Sequence, residues 1–342
     1  MKTPIDNAQQ DGPAALTFTL LRRLADGEFH SGEALAKQLG ISRASISNAL
    51  SGVSDYGLTL HSVRGKGYRL ANPPQWLDAA CIRKHLGVAD SRFHVEILDN
   101  AKSSNTLLMQ RAAQGAPSGS VLAVEWQSGG RGRMGRSWHS SLGGSLTFSL
   151  LWRFDCGLAN LSGLSLAAGV ALVRALHALD IKDTSLKWPN DLLGSRGKLG
   201  GILIEAQGDM LGPSVIVAGI GLNLSMHEPV LRQIDQPVTC LAEMTAAVPE
   251  RNLLLATILH ELHQVLEIFS LRGFAAVRPD WEKHHSAQGR KVQLLLPGGD
   301  RVTGIACGVA DDGSLKLETA QGIRLFNAGE VSLRNIRVAE CC

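Results

Sequence analysis

The sequence contains little cysteine and almost no net charge. Its six cysteines are scattered along 342 residues without a Cys-x-x-Cys spacing, which excludes a disulfide scaffold and indicates a reducing compartment. The formal net charge is only +3. Strong non-specific nucleic-acid binding by the whole molecule is therefore not implied, although a local basic patch remains possible.

Long apolar runs are also missing. The segment Met1–Gly12 is polar and has no signal-peptide core, and no stretch of about 18 apolar residues runs without glycine or charge. With 44% hydrophobic residues and mixed charges, the composition is that of a globular protein with room for two or three domains. We expect a cytoplasmic protein without a membrane anchor.

Two kinds of ligand motif are absent as well. The segment His260-Glu261-Leu262-His263 holds its histidines three positions apart, not four as in a His-Glu-x-x-His zinc helix. We therefore predict no protein-held metal. No Gly-x-x-x-x-Gly-Lys-Ser/Thr run occurs, so an ATP site in this chain lies outside the P-loop class.

The first 70 residues carry the pattern of a winged helix-turn-helix unit. Leucines recur at helical spacing over residues 16–24, a second helix follows Ser31, and Gly40 makes a tight turn before Ser42 caps a third helix. Residues 58–70 then predict a small hairpin, the wing. In such a unit the second helix of the pair enters the major groove of DNA.

Polar side chains of this unit are the predicted DNA contacts. They come from the recognition helix and from the turn of the wing: Arg43, Ser45, Ser47, Asn48, Arg64 and Lys66. Because Arg43 is the only lysine or arginine between Ser42 and Val63, one unit alone is predicted to hold DNA weakly. The alternative is a winged domain that binds another protein.

Tandem prolines, Pro73 and Pro74, mark a boundary after this unit. Beyond them, apolar strands near residues 121–126 and 146–154 and a long helix over 161–179 predict an α+β sheet domain, in which the alternation of the second strand indicates one buried face. Short strands and turns near the end of the chain predict a small β-barrel. The domains are expected at residues 1–72, 73–287 and 288–342.

The most informative stretch is the run Gly129–Trp138, which packs three arginines between four glycines. Glycine lets the backbone approach a ligand closely, and arginine offers a planar fork of donors that stays charged. Such a loop suits a ligand that carries phosphate. Its alternative is a solvated basic loop.

Further polar clusters follow predicted strands of the same domain, where ligand groups usually lie. The segment Ser103-Ser104-Asn105 and Gln127 offer hydroxyls and amides, and the run Lys187–Asp191 combines a cation, an aromatic ring, an amide and a carboxylate. Lys198 opens a strand that contains Gly201. Each cluster is a weak signal when taken alone.

Taken in order, these motifs resemble the biotin protein ligases. The matching runs are Gly-Arg-Gly-Arg-x-Gly-Arg-x-Trp, Lys-Trp-Pro-Asn-Asp and Lys-Leu-x-Gly-Ile-Leu, and the resemblance extends over nearly the whole chain, from about residue 16 to about residue 336. The winged unit makes the chain similar to the bifunctional bacterial type, which also represses the biotin operon. Lipoate ligases share the catalytic fold, but the winged unit and the Lys187–Asp191 motif disfavour them.

The resemblance implies an α+β multidomain fold and roles for individual residues. The fold comprises a winged helix-turn-helix, a central mixed α/β catalytic domain of the biotin/lipoate ligase type and a C-terminal SH3-like β-barrel. The implied positions for biotin and its adenylate are Ser103, Ser104, Asn105, Gln127, Arg131, Gly132, Arg133, Arg136, Trp138, Asn190, Lys198 and Gly201. The implied catalytic residues are Arg133, Lys187, Asp191 and Lys198. Met134 departs from the arginine of some relatives, so the loop carries one charge fewer.

The implied reaction joins two anions. The biotin carboxylate attacks the α-phosphate of ATP and pyrophosphate leaves, so cations that neutralise the developing charge are the main requirement, which Arg133 and Lys198 are predicted to meet. Mg²⁺ bridges the ATP phosphates without an all-protein cage. A lysine of the biotin carboxyl carrier protein then attacks the adenylate, and Asp191 orients or deprotonates its amine.

The implied partners are the carrier protein, operator DNA and a second copy of the chain. Biotinyl-5'-AMP would be both the reaction intermediate and the corepressor of a homodimer. The alternative is a biotin-sensing repressor without efficient transfer to a carrier.

Overall fold

The computed structural model describes residues 12–296, 299–327 and 332–335. The N-terminal unit contains three helices and one hairpin: α1 (Ala15–Arg23), α2 (Gly32–Leu39), α3 (Arg43–Leu50), β1 (Leu60–Val63) and β2 (Gly67–Leu70). Ser42 Oγ accepts the Ser45 N–H at 3.0 Å and so caps α3, and Gly40 ends α2 at a φ of 66°. The predicted helix-turn-helix and its wing are confirmed.

The central part is built around one seven-stranded sheet. Its helices and strands, in chain order, are α4 (Ala79–Leu86), β3 (His94–Ala101), α5 (Ser104–Ala113), β4 (Ser120–Gln127), β5 (Gly130–Arg131), β6 (Ser137–Trp138), β7 (Ser145–Phe154), α6 (Leu164–Ala178), β8 (Ser185–Lys187), β9 (Asp191–Leu193), β10 (Lys198–Gly208), β11 (Ser214–Asn223), α7 (Glu228–Leu231), α8 (Arg251–Arg272) and α9 (Arg278–Lys283). The strand order is β3-β4-β7-β11-β10-β9-β8, in which β3 and β4 are parallel and the other neighbours antiparallel.

Helices cover both faces of this sheet. Leu108 and Ala112 of α5 pack on one face, and α6 and α8 form the main core on the other. The expectation that β7 has one exposed face is therefore wrong. Leu151, on the face opposite Leu150, is as fully buried as its neighbour because α5 lies over it.

Helix α8 lies in the core of this central part. Among the described residues it is the one helix whose length and hydropathy would suffice to cross a membrane, and half of its most apolar stretch is buried within the structure. It packs against α4 and α6. Burial of this kind is typical of a core helix in a globular domain.

The C-terminal part is a five-stranded antiparallel sheet, β12 (Lys291–Leu295), β13 (Arg301–Val309), β14 (Leu315–Thr319), β15 (Gly322–Phe326) and β16 (Ser332–Asn335), in the order β15-β14-β13-β12-β16. Its buried residues, among them Val292, Ala306 and Leu317, belong to the same apolar core as α6 and α8. The C-terminal sheet therefore shares its core with the central part of the chain.

The N-terminal unit also contacts the central part closely. Leu142, from the segment that follows β6, is 1% exposed and lies in the core of the N-terminal unit, and its N–H donates to the Tyr56 carbonyl at 2.8 Å. The rings of Tyr56 and Trp126 meet edge to face with centroids 5.3 Å apart. The segment between β6 and β7 thus packs into the winged unit.

The linker between the two parts is held by a buried ion pair. Arg251 Nη1 lies 2.7 Å from Glu125 Oε2 and donates to the Gln75 carbonyl at 2.5 Å, while Glu125 Oε1 accepts the Leu77 N–H at 2.7 Å. Both charged side chains are almost completely buried. The linker after the tandem prolines is therefore bonded along its length rather than free.

Candidate active site

A cavity of about 1240 Å³, with the solvent at its mouth included, opens over the central sheet. It is lined by residues of the glycine-rich loop, of the start of α5, of the β8–β9 turn and of β10. Every residue predicted to bind biotin or its adenylate, or to act in catalysis, lines this cavity: Ser103, Ser104, Asn105, Gln127, Arg131, Gly132, Arg133, Arg136, Trp138, Lys187, Asn190, Asp191, Lys198 and Gly201.

One end of the cavity is a buried cluster of hydroxyls and amides. The Ser104 N–H donates to Gln127 Oε1 at 2.6 Å, and Ser149 Oγ lies 2.7 Å from Ser104 Oγ and 2.6 Å from Asn105 Oδ1. Ser103 Oγ caps α5 by accepting the Thr106 N–H at 3.4 Å. Fixed donors and acceptors at this end suit a small polar ring such as a cyclic urea.

The glycine-rich loop forms a short hairpin across the cavity, which we call the lid (residues 129–138). Strands β5 and β6 pair Gly130 with Trp138 and Arg131 with Ser137, and the Gly132 N–H donates to the Arg136 carbonyl at 2.7 Å. A Cβ added to Gly130 would lie 2.5 Å from the Trp138 carbonyl oxygen, so glycine is required for this close pairing.

The other end of the cavity holds charged groups. Lys198 Nζ lies 2.7 Å from Asp191 Oδ1, and both side chains are less than a fifth exposed. Arg133 Nη1 donates to Asn190 Oδ1 at 3.3 Å, and Asn190 Nδ2 donates to the Ile202 carbonyl at 2.9 Å. Two cations from distant parts of the sequence therefore face the same region.

Burial lowers the pKa of Arg133, and the charge of Arg136 lowers it further, while the nearby Asp191 carboxylate raises it. The ordinary pKa of arginine is so high that the side chain stays charged at any working pH. A partly desolvated guanidinium interacts more strongly with an anionic ligand than an exposed one does.

The β8–β9 turn joins this charged end to the C-terminal sheet. Trp188 is fully buried, and its Nε1–H donates to the Gly313 carbonyl at 3.0 Å. The peptide between Trp188 and Pro189 is cis. The same turn therefore holds Asn190 and Asp191 in the cavity and contacts the loop between β13 and β14.

Sequence reasoning missed three polar residues at this site. Thr147 and Ser149 lie next to the cavity on β7, and Glu205 lies on β10. Within the described residues, Thr147 Oγ1 and Trp138 Nε1 line the cavity as buried polar atoms without a protein partner. Thr147 and Ser149 are the only polar side chains from Leu146 to Trp152, a signal that could have identified them. Glu205 has no such signal.

The predicted DNA-binding residues lie on α3 and on the turn of the wing. Arg43, Ser47 and Asn48 are exposed on α3, and Arg64 and Lys66 are exposed between β1 and β2. Ser45 differs from them because its hydroxyl lies 2.9 Å from Ser42 Oγ, within the cap of α3.

No protein cage for a metal exists in residues 12–296 and 299–327. No three His, Cys, Asp or Glu side chains come together there in an arrangement that could hold an ion. Asp191 supplies the carboxylate at the charged end of the cavity, and it is paired with Lys198. Asp191 and Asn190, at the charged end of the cavity, would supply oxygen donors to a magnesium ion that enters with ATP.

Fold and site together define a ligase of the biotin/lipoate type joined to a DNA-binding unit. Three family models match the chain: an HTH domain over residues 17–69, the biotin/lipoate A/B protein ligase family over residues 98–223, and the biotin protein ligase C-terminal domain over residues 288–334.

Comparison with known relatives identifies the family more closely. The bifunctional ligase/repressor BirA of Salmonella typhimurium is 37% identical over 318 residues, which cover 93% of this chain and 97% of the relative. The biotin–[acetyl-CoA-carboxylase] ligase of Mycobacterium tuberculosis is 34% identical over 76% of this chain and 96% of its own length. A solved biotin protein ligase of Aquifex aeolicus, in complex with biotin and ATP, is 29% identical over 70% of this chain and 98% of its own, with a TM-score of 0.61. The chain belongs to the family of bifunctional biotin protein ligases and repressors.

Proposed function

We propose that this protein converts biotin and MgATP to biotinyl-5'-AMP, transfers biotin to a lysine of a biotin carboxyl carrier protein, and represses biotin-synthesis genes as the adenylate-bound dimer. The ligase proposal rests on one observation, which is that the same cavity has a polar end and a cationic end. The polar end offers Ser104, Asn105 and Gln127, and the cationic end offers Arg133 and Lys198. Biotin has a polar ring at one end and a carboxylate at the other.

In the first half-reaction, Lys198 and Arg133 bring two anions together. The biotin carboxylate oxygen attacks the α-phosphorus of ATP, an oxygen–phosphorus bond forms, and the bond to pyrophosphate breaks. Lys198 neutralises the carboxylate and Arg133 the phosphoryl oxygens, so the main contribution of the protein is electrostatic. Asn190 holds the Arg133 guanidinium in position. Arg136 and Trp138 of the lid exclude water from the mixed anhydride.

In the second half-reaction, the lysine amine of the carrier attacks the biotinyl carbonyl and AMP leaves. The amine must lose a proton, and Asp191 is the carboxylate near the charged end of the cavity. We assign Asp191 the orientation and deprotonation of that amine, and Lys187, on the adjacent strand, the neutralisation of the departing AMP. Mg²⁺ would enter as part of the substrate MgATP, where it would offset part of the phosphate charge.

The repressor activity is assigned to the winged unit. The exposed residues Arg43, Ser47 and Asn48 would face base edges and the wing cations Arg64 and Lys66 would contact phosphates. One sparsely charged helix is a weak DNA anchor, so we infer that two copies bind together once the adenylate is formed. Sedimentation of the protein with and without biotin and MgATP tests this step, and tight operator binding by a ligand-free monomer would contradict it.

The assignment also proposes domain limits and a location. Residues 1–72 form the DNA-binding unit, 73–287 the catalytic unit and 288–342 the C-terminal sheet domain. The acceptor carrier, the operator and the nucleotide are all found in the bacterial cytoplasm, where we expect this protein.

Incubation with biotin, MgATP and a biotin carboxyl carrier domain tests the ligase proposal. We expect pyrophosphate release and covalent labelling of the carrier. Lys198→Ala removes the cation at the carboxylate and should slow both by roughly 100-fold, as the loss of one preorganised electrostatic group typically does. The matched control is Lys182→Ala, because Lys182 is an exposed lysine paired with Asp180 outside the cavity.

The same assay separates the two candidate activities. If the wild-type protein bound biotin but released no pyrophosphate and labelled no carrier, the ligase proposal would be wrong. The protein would then be a biotin-sensing repressor without efficient transfer to a carrier.

A further inference from the structure

Glu205 lies where three elements of the active site meet. It is a residue of β10, and its carboxylate contacts both the lid and the start of α5. Arg131 Nη2 donates to Glu205 Oε1 at 2.8 Å and to Oε2 at 2.7 Å, and Asn105 Nδ2 donates to Oε2 at 2.9 Å. One carboxylate therefore joins a lid side chain to a side chain of the polar end of the cavity.

The contact with Asn105 fixes the orientation of an amide in the biotin pocket. Asn105 Oδ1 lies 2.6 Å from Ser149 Oγ, and Asn105 Nδ2 donates both to the Leu203 carbonyl and to Glu205. An ionised carboxylate only accepts hydrogen bonds, so Glu205 selects the amide orientation with Nδ2 toward β10. A Cβ on Gly219 would lie 2.2 Å from Asn105 Oδ1, which leaves the amide little room to move.

The contact with Arg131 is a principal tie between the lid and the sheet. The lid has only two residue pairs of its own, and a two-stranded hairpin of that size is barely stable by itself. At its base the Gly129 N–H donates to the Lys102 carbonyl at 2.8 Å, and farther along Arg133 reaches Asn190 at 3.3 Å. The Arg131–Glu205 pair lies between these two contacts, and its two charge-assisted bonds are shorter than the bond from Arg133 to Asn190.

We propose that Glu205 is a latch for the lid, and that it couples the arrangement of the biotin pocket to lid closure by holding Asn105 and Arg131 at once. Glu205 acts through these two side chains and is a positioning residue, not a catalytic one. Arg131 then serves as the lid's attachment point to β10, and Arg133 remains the lid cation directed at phosphate. The proposal rests on the proposed ligase function for its ligand but not for the lid contact itself.

The first experiment uses trypsin and needs no ligand. Closing the lid protects the arginines at its tip, and Arg133 and Arg136 remain as cleavage sites in every variant. Glu205→Ala, Arg131→Ala and the double variant should each be cleaved in the lid roughly five- to tenfold faster than wild type, at the low end of typical coupling between sites. Since all three variants lose the same contact, the double variant should be no faster than either single one.

The second experiment measures biotin and its adenylate. Glu205→Ala should raise the KM for biotin more than Arg131→Ala does, because it also frees Asn105, while both variants should release preformed biotinyl-AMP about five- to tenfold faster. Glu205→Gln keeps the shape and retains one acceptor oxygen, so it should recover part of the effect and should exclude misfolding as the cause. The control is Glu96→Ala, which removes a similarly exposed ion pair between Arg111 of α5 and β3, away from the lid.

The outcomes separate the latch from the ligase proposal. Lid cleavage in Glu205→Ala equal to that of wild type, or a double variant in which the two effects multiply, overturns the latch. A wild-type protein that forms no adenylate overturns the ligase proposal, and the cleavage experiment still decides whether Glu205 holds the lid. Equal effects in Glu96→Ala would mean that the loss of any exposed ion pair near α5 has the same influence, which also overturns the latch.

Discussion

Two arginines of the lid, Arg131 and Arg133, lie only two positions apart in sequence but contact different partners. Arg131 contacts the Glu205 carboxylate on β10, whereas Arg133 contacts the neutral amide of Asn190 and faces the region of Lys198. Arg131 is exposed and its charge is offset by Glu205, whereas Arg133, which also lies near the Asp191 carboxylate, is partly buried at the charged end of the cavity. Arg133 is therefore the lid residue best suited to an adenylate phosphate.

Arg133 is expected to control the escape of the intermediate. In Arg133→Ala, biotinyl-AMP loses a charge-assisted hydrogen bond worth on the order of 1.5–3 kcal/mol, so its release should accelerate by a factor of about 10 to 100. Arg133→Lys keeps a charge but not the planar fork and should fall between. The measurement is the labelling of an unrelated lysine-rich protein added to the reaction. Labelling no greater than that by wild type would show that Arg133 does not retain the adenylate.

At the scale of elements, β11 shapes the floor against which the lid closes. Gly219 and Gly221 point toward the cavity, and a Cβ on Gly221 would lie 2.4 Å from the Trp138 ring, closer than real Cβ contacts approach. The two glycines leave a bare strip of strand, and the indole of Trp138 lies directly on it. The lid therefore depends on β11 as well as on its own glycines.

Gly221→Ala should disturb the lid without unfolding the sheet. Overpacking of this kind costs roughly 1–3 kcal/mol, and because Trp138 can move with the lid, we expect most of that cost to oppose closure. Biotin affinity should fall about 5- to 100-fold, measured by calorimetry, with a melting temperature near that of wild type. Gly212→Ala, whose Cβ would meet nothing closer than 3.2 Å, is the control. Unchanged affinity in Gly221→Ala would contradict the close packing of Trp138.

The secondary-structure elements could be predicted from the sequence better than the tertiary contacts around them. The periods of α6, β4 and β7 identified these elements, because alternation and helical spacing are local properties. The burial of Leu151 was not predictable, since it depends on α5 lying over β7, a contact between segments about forty residues apart. In the same way the motifs that contain Lys198 and Asp191 could be recognised in the sequence. The 2.7 Å contact between the two side chains could not, because it results from the pairing of β9 with β10.

At the scale of the whole molecule, the winged unit is joined to the catalytic part by a bonded linker. Arg251 at the start of α8 binds Glu125 of β4, the Gln75 carbonyl of the linker and the Ser145 carbonyl at the start of β7. Glu125 lies two residues before Gln127 of the biotin pocket. The linker, the sheet and the segment that follows the lid thus meet at one buried guanidinium.

Replacement of Arg251 by methionine should destabilise the protein strongly. The Glu125 carboxylate would stay buried without its partner, which costs roughly 3–5 kcal/mol, and the linker carbonyl would lose its donor. Urea denaturation at neutral pH measures the change in the free energy of unfolding. Adding Glu125→Gln to Arg251→Met removes the unpaired charge and should recover part of the loss. A double variant that is less stable than Arg251→Met would contradict this account of the buried pair.

The insertion of Leu142 into the winged unit has a practical consequence for anyone who shortens this chain. Cutting at the tandem prolines would remove the DNA-binding unit, but it would leave Leu142 and the face of Trp126 in water, directly beside the segment that leads out of the lid. The shortened enzyme would therefore expose an apolar patch, prone to aggregation, next to the segment that leads out of the lid. A shortened variant should therefore first carry polar replacements at Leu142 and Trp126, before any change is made to the active site.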